Sequence, residues 1–228
     1  MHELTPEWYV PRNDIKLIDN ITSKIGTGIN NIKVFENFLT DQEVETGMRI
    51  ITKYPVVEGA DHSYPIHTLP SYVETLEEKF FSPIMSQKMK KMGKSAYGIN
   101  LLDDKQFLYV VHPKGTRIDP HTDILDIDNT DYENDTYESE LDLYPYLWSG
   151  HLSILAYLND DYEGGELYFP ELDWGIRPKK KMLIMFPGSL HYVHGVAEIK
   201  SGTRYTLSQW AQFEGFNPRP KNTNKEMI

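Results

Sequence analysis

The chain of 228 residues contains no cysteine. Disulfide bonds, thiolate metal sites and cysteine nucleophiles are therefore excluded, and the composition is compatible with a reducing compartment. Long apolar runs are also lacking, because no stretch approaches the roughly 18 apolar residues that a membrane-spanning helix needs. The N-terminal sequence MHELTPEWYVPRND has neither a basic segment nor an apolar core. We therefore expect no secretory signal and a cytoplasmic location.

Basic residues are scarce relative to acidic ones. With 23 Lys plus Arg against 34 Asp plus Glu, the formal net charge is −11. So acidic a chain repels a nucleic-acid backbone and an anionic membrane surface, and neither is expected as a partner. Hydrophobic residues make up 39% of the chain, which is enough for a packed core, and the length fits one large domain or one domain plus a small N-terminal cap.

The first half of the chain carries helix signals. The Thr-x-x-Glu pattern that begins at Thr40 has the form of a capping box and predicts a helix over 41–54. A second box, which begins at Ser71, predicts a helix over 71–92. Gly93 follows a basic segment and is predicted to end that second helix.

After about residue 96 the sequence changes to short segments rich in β-branched and aromatic residues, separated by turn residues. The predicted strands cover 106–112, 151–158, 165–169, 182–186 and 204–213. Helices followed by many short strands favour an α+β protein that is mainly β. The expected architecture is a β-sandwich or jelly roll buttressed by the N-terminal helices.

One segment inside the strand region is unusually long for a strand connection. Residues 124–150 hold eight acidic residues and four tyrosines but no Lys or Arg. This segment is either a lid over a functional site or a solvated surface insertion. The predicted organisation is an arm over 1–30, a single domain over 31–215 with helical support over about 31–95 and strands over about 96–215, and a polar tail over 216–228.

Three residues form a metal-ligand pattern: His121, Asp123 and, after a long gap, His194. Alternate side chains of a strand point to one face, so the first two can reach the same ion. Two imidazoles and one carboxylate on one face of an octahedral ion are the ligand set of non-haem Fe(II) oxygenases, with the opposite face open for a cosubstrate and O2. His191 is the alternative to His194 as third ligand.

Arg204 follows His194 by ten positions and opens the last predicted strand. On that strand Thr206, Ser208 and Trp210 share its face. A buried arginine needs an anion, and its planar fork matches a carboxylate, as a dicarboxylate cosubstrate would supply. The alternative is an arginine that pairs with a surface glutamate.

Four segments carry a resemblance to a known family. They read HPKGTRIDPHTD, LAYLNDDYEGGELYFP, PKKKMLIMFPG and HYVHGVAEIKSGTRYTLSQW. In order and spacing, residues from about 106 to 213 resemble the prolyl 4-hydroxylase-type branch of the 2-oxoglutarate/Fe(II)-dependent dioxygenases. The resemblance implies a double-stranded β-helix core, which is a cupin-like jelly roll.

The resemblance also implies roles for individual residues. His121, Asp123 and His194 would bind Fe(II), with 2-oxoglutarate as cosubstrate, O2 as oxidant and ascorbate as a further requirement. Arg204 would bind the distal carboxylate of 2-oxoglutarate, and the hydroxyl of Tyr157 would help to hold it. The family usually has tyrosine at the position of His112, so this histidine or Tyr109 would take over that contact. Ser208 and Trp210 complete the set assigned to the cosubstrate pocket.

The function implied by the resemblance is hydroxylation of a proline in a peptide or protein, coupled to decarboxylation of 2-oxoglutarate to succinate. The same chemistry on a free amino acid or another small molecule is the alternative. Nucleobase repair is disfavoured, because the repair enzymes carry a second arginine where this chain has Trp210. A non-catalytic jelly roll that binds a structural metal would leave Arg204 and Tyr157 without a purpose.

Overall fold

The structure of the protein is a computed structural model. It describes residues 16–17, 31–53, 57–58, 67–68, 76–101, 108–123, 151–188 and 192–212. Apart from residues 16–17, the predicted arm over 1–30 lies outside the described residues, as do the 124–150 segment and the 216–228 tail. No helix in the described segments is long and apolar enough to cross a membrane.

The first predicted helix forms as α1, Asp41–Lys53. Both hydrogen bonds of its capping box form. The backbone amide of Thr40 donates to the Glu43 carboxylate at 2.7 Å, and the amide of Glu43 donates to Thr40 Oγ1 at 3.0 Å. Each bond satisfies an amide that the first turn of a helix leaves without an internal partner.

The second helix, α2, spans Leu76–Tyr97 and runs beyond its predicted end. It ends at Gly98, which has φ +72° and donates its amide to the carbonyl of Lys94 at 2.9 Å. The predicted stop at Gly93 is therefore wrong. A Cβ at Gly93 would lie 2.7 Å from the Leu101 side chain, so this glycine permits close packing inside the helix.

The described strands are all paired in antiparallel fashion. In chain order they are β1 Lys16–Leu17, β2 Lys33–Glu36, β3 Val57–Glu58, β4 His67–Thr68, β5 Leu108–Pro113, β6 Ile118–His121, β7 His151–Tyr157, β8 Glu163–Gly164, β9 Leu167–Phe169, β10 Trp174–Ile176, β11 Leu183–Pro187, β12 His194–Val196, β13 Ile199–Ser201 and β14 Thr203–Gln212. They form an eight-stranded sheet in the order β1-β2-β11-β7-β14-β5-β4-β3, a four-stranded sheet in the order β10-β9-β12-β6, and the pair β13-β8.

The eight-stranded sheet is covered on both faces. One face packs against both helices through a core that includes Ile50, Met85, Ile154 and Leu207. The other face packs toward the four-stranded sheet through a second core that includes Val34, Tyr157, Leu167, Phe169, Ile184 and Phe186. Two facing antiparallel sheets buttressed by helices are the predicted double-stranded β-helix, and the mainly β fold class is confirmed.

A buried ion pair joins the two helices. The Lys88 ammonium lies 2.7 and 3.0 Å from the two carboxylate oxygens of Glu43, and both side chains are less than a tenth exposed. The same ammonium donates to the carbonyl of Phe38 at 2.6 Å. Because Glu43 also caps α1, this pair ties the middle of α2 to the first turn of α1.

Candidate metal and cosubstrate site

Strand register brings the two predicted histidine ligands together. His121, the last residue of β6, lies directly opposite His194, the first residue of β12. Directly opposed residues of antiparallel strands project to the same face, and the two imidazole rings have centroids 4.5 Å apart. Asp123 follows β6 by two positions. It therefore lies just beyond the strand rather than on it, yet its carboxylate still reaches the same point.

The three side chains converge as metal ligands would. One potential ligand atom from each of His121, Asp123 and His194 lies within 4.8 Å of the other two. The Nε2 atoms of the histidines are 3.4 and 3.5 Å from the two Asp123 carboxylate oxygens. Neighbouring ligands bound at about 2.1 Å to one octahedral ion are about 3 Å apart, so small movements would complete the site.

Both imidazoles are oriented by backbone carbonyls. His121 Nδ1 lies 2.9 Å from the oxygen of Asp119, and His194 Nδ1 lies 3.0 Å from the oxygen of Tyr192. A carbonyl oxygen only accepts, so each Nδ1 carries the proton. Each Nε2 then faces Asp123: it donates to the carboxylate while the ring is protonated and offers a lone pair to a metal ion once that proton is lost, and such outer hydrogen bonds fix the ring of a metal-binding histidine.

Ser153 on β7 orients the carboxylate. Its hydroxyl donates to Asp123 Oδ2 at 2.6 Å. Burial alone would raise the pKa of Asp123, but the charges of His194 and His121 and the hydrogen bonds from His121 and Ser153 outweigh it. The pKa of Asp123 is held well below its usual range, so the carboxylate is ionised at neutral pH. The sequence analysis did not identify Ser153.

The two histidines differ in environment. The His194 side chain is 6% exposed and packs against the rings of Phe186 and Phe169, at centroid distances of 4.6 and 5.7 Å. Burial, with smaller contributions from the charges of His121 and Arg204, lowers the pKa of His194, which favours the neutral ligand form. The His121 side chain is 40% exposed. Burial alone would lower its pKa, but the interactions with Asp123 and the Asp119 carbonyl raise it.

Arg204 on β14 is almost completely buried, with 1% exposure. Its Nη2 donates to the hydroxyl of Tyr157 at 3.2 Å, and the guanidinium carbon lies 5.0 Å from the centre of that ring. Within the described part of the chain, no group accepts from its Nε or Nη1, and no carboxylate pairs with it. The buried hydroxyl of Thr206, on the same face, likewise has no partner there. No glutamate among the described residues pairs with Arg204, so the alternative of a surface glutamate partner is not met there.

The remaining predicted pocket residues divide between the two faces of the large sheet. His112 is buried directly opposite Arg204 and shares its face, and Ser208 and Trp210 follow on that face of β14. The prediction that Tyr109 contacts the cosubstrate is corrected, because Tyr109 packs in the helix-side core and its hydroxyl lies 3.3 Å from Ser82 Oγ. It is three positions from His112, and residues three apart on a strand face opposite ways.

The donor set fits a ferrous ion and a dicarboxylate. Two imidazoles and one ionised carboxylate match the facial triad of non-haem Fe(II) sites. The unpaired nitrogens of Arg204 and the hydroxyl of Thr206 form a buried polar cradle whose donors have no acceptor in the described part of the chain. Because buried polar groups in proteins are nearly always hydrogen-bonded, such a cradle indicates a ligand that supplies the acceptors.

The family model described as the 2OG-Fe(II) oxygenase superfamily matches residues 107–212. Among curated proteins, human prolyl 3-hydroxylase 2 is 38% identical over 63 residues, which is 25% of this chain and 9% of the human protein. Human prolyl 3-hydroxylase 3 is 32% identical over 88 residues, or 36% of this chain and 12% of that protein. The chain thus spans about a tenth of the length of the curated relatives it matches.

Solved structures share the fold at low identity. A viral collagen prolyl hydroxylase from Paramecium bursaria Chlorella virus-1, solved as a 2OG complex, is 19% identical with a TM-score of 0.57, over 80% of this chain and 95% of that chain. A prolyl hydroxylase from Trichoplax adhaerens, solved with a peptide fragment of the hypoxia inducible factor oxygen degradation domain, is 14% identical with a TM-score of 0.55. That likeness covers 80% of this chain and 84% of that chain.

Proposed function

We propose that the protein is an Fe(II)- and 2-oxoglutarate-dependent hydroxylase of prolines in a peptide or protein, because residues 107–212 match the 2OG-Fe(II) oxygenase family model. One observation carries the proposal: a buried guanidinium with unpaired nitrogens lies beside a His/Asp/His triad. Arg204 is close enough to His194 for its charge to affect the pKa of that imidazole. A metal-binding module alone would not need the arginine.

Each residue of the triad has a defined task. His121 and His194 offer Nε2 lone pairs, and Asp123 offers a carboxylate oxygen while Ser153 holds the other. When bound, Fe(II) and 2-oxoglutarate supply oxidising power from O2, and 2-oxoglutarate leaves as succinate and CO2. The rings of Phe169 and Phe186 shield one side of His194, whereas the His121 side chain is 40% exposed, so the triad is accessible from the side of His121.

The carboxylate cradle orients the cosubstrate. Arg204 pairs with the distal carboxylate of 2-oxoglutarate, and Tyr157, which already contacts this guanidinium, helps to hold the same group. Thr206 donates from the same face. His112, Ser208 and Trp210 share the sheet face that carries Arg204 and would line the cosubstrate pocket. Such fixed donors raise the effective concentration of the 2-oxo acid group at the metal.

A prolyl substrate is supported by what the similar proteins are called. The curated relatives are named prolyl 3-hydroxylases, and the structural neighbours are named as prolyl hydroxylases of collagen or of a peptide. The composition of the 124–150 segment fits such a substrate, since acidic side chains attract basic peptides and tyrosine rings pack well on proline. We propose a basic or proline-rich peptide.

The test is succinate release from 2-oxoglutarate with Fe(II) and a panel of proline-containing peptides, read together with a mass gain of one oxygen atom. Hydrolysis of the product and separation of 3- from 4-hydroxyproline identify the carbon attacked. Free proline and other free amino acids form a second panel. Oxidation in this second panel alone would replace the peptide substrate by a small molecule, and succinate in neither panel would refute a hydroxylase of this class. Reactions with and without ascorbate test that requirement.

A further inference from the structure

Tyr162 carries a buried hydroxyl with no hydrogen-bond partner in the described segments. The residue is 2% exposed and lies in the turn between β7 and β8. Buried hydroxyls in native proteins nearly always have a partner, because an unsatisfied one loses its bonds to water without compensation. Tyr162 therefore requires a partner that the described segments do not provide.

Tyr162 is closely packed at both its ring and its backbone. A Cβ at Gly165 would lie 3.0 Å from Cε2 of Tyr162, and a Cβ at Gly202 would lie 3.0 Å from its Cα. Both glycines have positive φ, so neither position readily accepts a side chain. Arg177 donates to the backbone carbonyl of Tyr162 at 2.5 Å. These contacts leave the ring and the backbone of Tyr162 closely packed.

The electrostatic neighbours of Tyr162 are the residues of the carboxylate cradle. Burial raises the pKa of Tyr162 to about 12, while the charge of Arg204 lowers it and Tyr157 raises it. The backbone of Tyr162 packs against Gly202, two positions before Arg204, and Arg204 donates to Tyr157, so the three buried side chains belong to one region of the fold. At neutral pH the hydroxyl of Tyr162 keeps its proton and is available to donate.

We propose that the hydroxyl of Tyr162 donates a hydrogen bond to the distal carboxylate of the cosubstrate, as a partner to Arg204 and Tyr157. The inference rests on the proposed function, because the acceptor is the 5-carboxylate of 2-oxoglutarate. Arg204 alone covers one edge of a carboxylate with its fork. A rigid second hydroxyl satisfies lone pairs that the fork leaves open and selects a dicarboxylate over a 2-oxo acid with an apolar end.

The experiment measures binding of 2-oxoglutarate to the Mn(II)-loaded protein by calorimetry. Tyr162→Phe removes only the hydroxyl, and we expect the Kd for 2-oxoglutarate to rise about tenfold or more, as for loss of a hydrogen bond to a charged group. The matched control is Tyr205→Phe. This tyrosine is adjacent to Arg204 but packs against the helix-side core, so the Kd should not change. The Mn(II) stoichiometry and unfolding midpoint verify that each variant is folded.

A second probe separates a direct contact from a general disturbance. 2-Oxopentanoate has the same carbon number but no 5-carboxylate, so its affinity, measured by competition, should be equal in the wild type and Tyr162→Phe. An unchanged Kd for 2-oxoglutarate in this variant, or an equal loss of affinity for both acids, would refute the role of Tyr162 and leave the proposed function standing. Failure of the wild type to bind 2-oxoglutarate would refute both.

Discussion

His121 and His194 face each other across adjacent antiparallel strands, as a directly opposed pair with ring centroids 4.5 Å apart. Their spacing is therefore set by backbone pairing rather than by long flexible side chains. Each ring is further fixed through Nδ1 by the carbonyl of the residue two positions before it. A site built in this way is organised before any ligand arrives, which lowers the entropic cost of binding.

The hydrogen bond from Ser153 to Asp123 predicts a graded effect on metal affinity. Ser153→Ala leaves the carboxylate in place but removes the donor that orients it, so we expect Mn(II) affinity to fall about tenfold. Ser86→Ala is the control, because Ser86 is also a buried serine with one hydrogen bond, to Gln209 on the opposite face of the sheet. Calorimetric titration with Mn(II) measures both. Equal affinity in the two variants would contradict the role given to Ser153.

Removal of the Arg204 charge is expected to weaken binding of the cosubstrate but not of the metal ion. Arg204→Gln keeps a polar side chain but removes the charge, and we expect the apparent KM for 2-oxoglutarate to rise at least about tenfold. Metal affinity should stay close to that of the wild type. Arg49→Gln, on the exposed part of α1, is the control and should leave both unchanged. A variant without the Arg204 charge that binds 2-oxoglutarate normally would overturn the assignment.

Gly195, the neighbour of His194 on β12, predicts a steric effect. A Cβ there would lie 2.6 Å from the ring end of Tyr168 and 2.8 Å from the carbonyl of Ile118. We expect Gly195→Ala to destabilise the protein by about 1–3 kcal/mol and to weaken Mn(II) binding by displacing β12. Gly175→Ala in the same sheet, where the nearest atom is 3.3 Å away, should cost less. Urea denaturation measures the stability of both variants, and equal midpoints would show that a Cβ at Gly195 does not clash with Tyr168 and Ile118.

The buried Glu43–Lys88 pair predicts strong coupling in stability. Glu43→Leu or Lys88→Met alone leaves a buried charge without its partner and should cost about 3–5 kcal/mol. The double variant should lose less than the sum of the two. Lys179→Met breaks an exposed pair at 3.6 Å and should change stability by less than about 1 kcal/mol. Additive losses in urea denaturation would show that the buried pair is not coupled.

Sequence patterns predicted the long elements well. The five predicted strands correspond to β5, β7, β9, β11 and β14, and the capping box at Thr40 starts α1 as expected. The short strands β1, β2, β3, β4, β6, β8, β10, β12 and β13 were not predicted, because two to four residues are too few to show a period. Their pairing is set by tertiary contacts. The predicted helix end at Gly93 was wrong, because Gly93 packs against Leu101 inside a helix that continues to Tyr97.

The convergence of His121, Asp123 and His194 was predictable because these residue types at this spacing are specific, whereas the surrounding residues depend on strand faces. Alternation alone would have separated Tyr109 from His112, and it would have grouped Ser153 with Tyr157 on β7. Tyr162 gives no such signal. Its position in a turn has no period, and its proximity to Arg204 follows from how that turn packs on Gly202.

The most direct test of the account is the Mn(II) stoichiometry of four proteins: the wild type and the variants Asp123→Ala, His194→Ala and His191→Ala. His191, outside the described residues, was the alternative third ligand in the sequence. We predict one ion per chain for the wild type and for His191→Ala, with binding abolished in the other two variants. Retention of full-affinity binding by Asp123→Ala or His194→Ala, or its loss in His191→Ala, would contradict the metal centre described above.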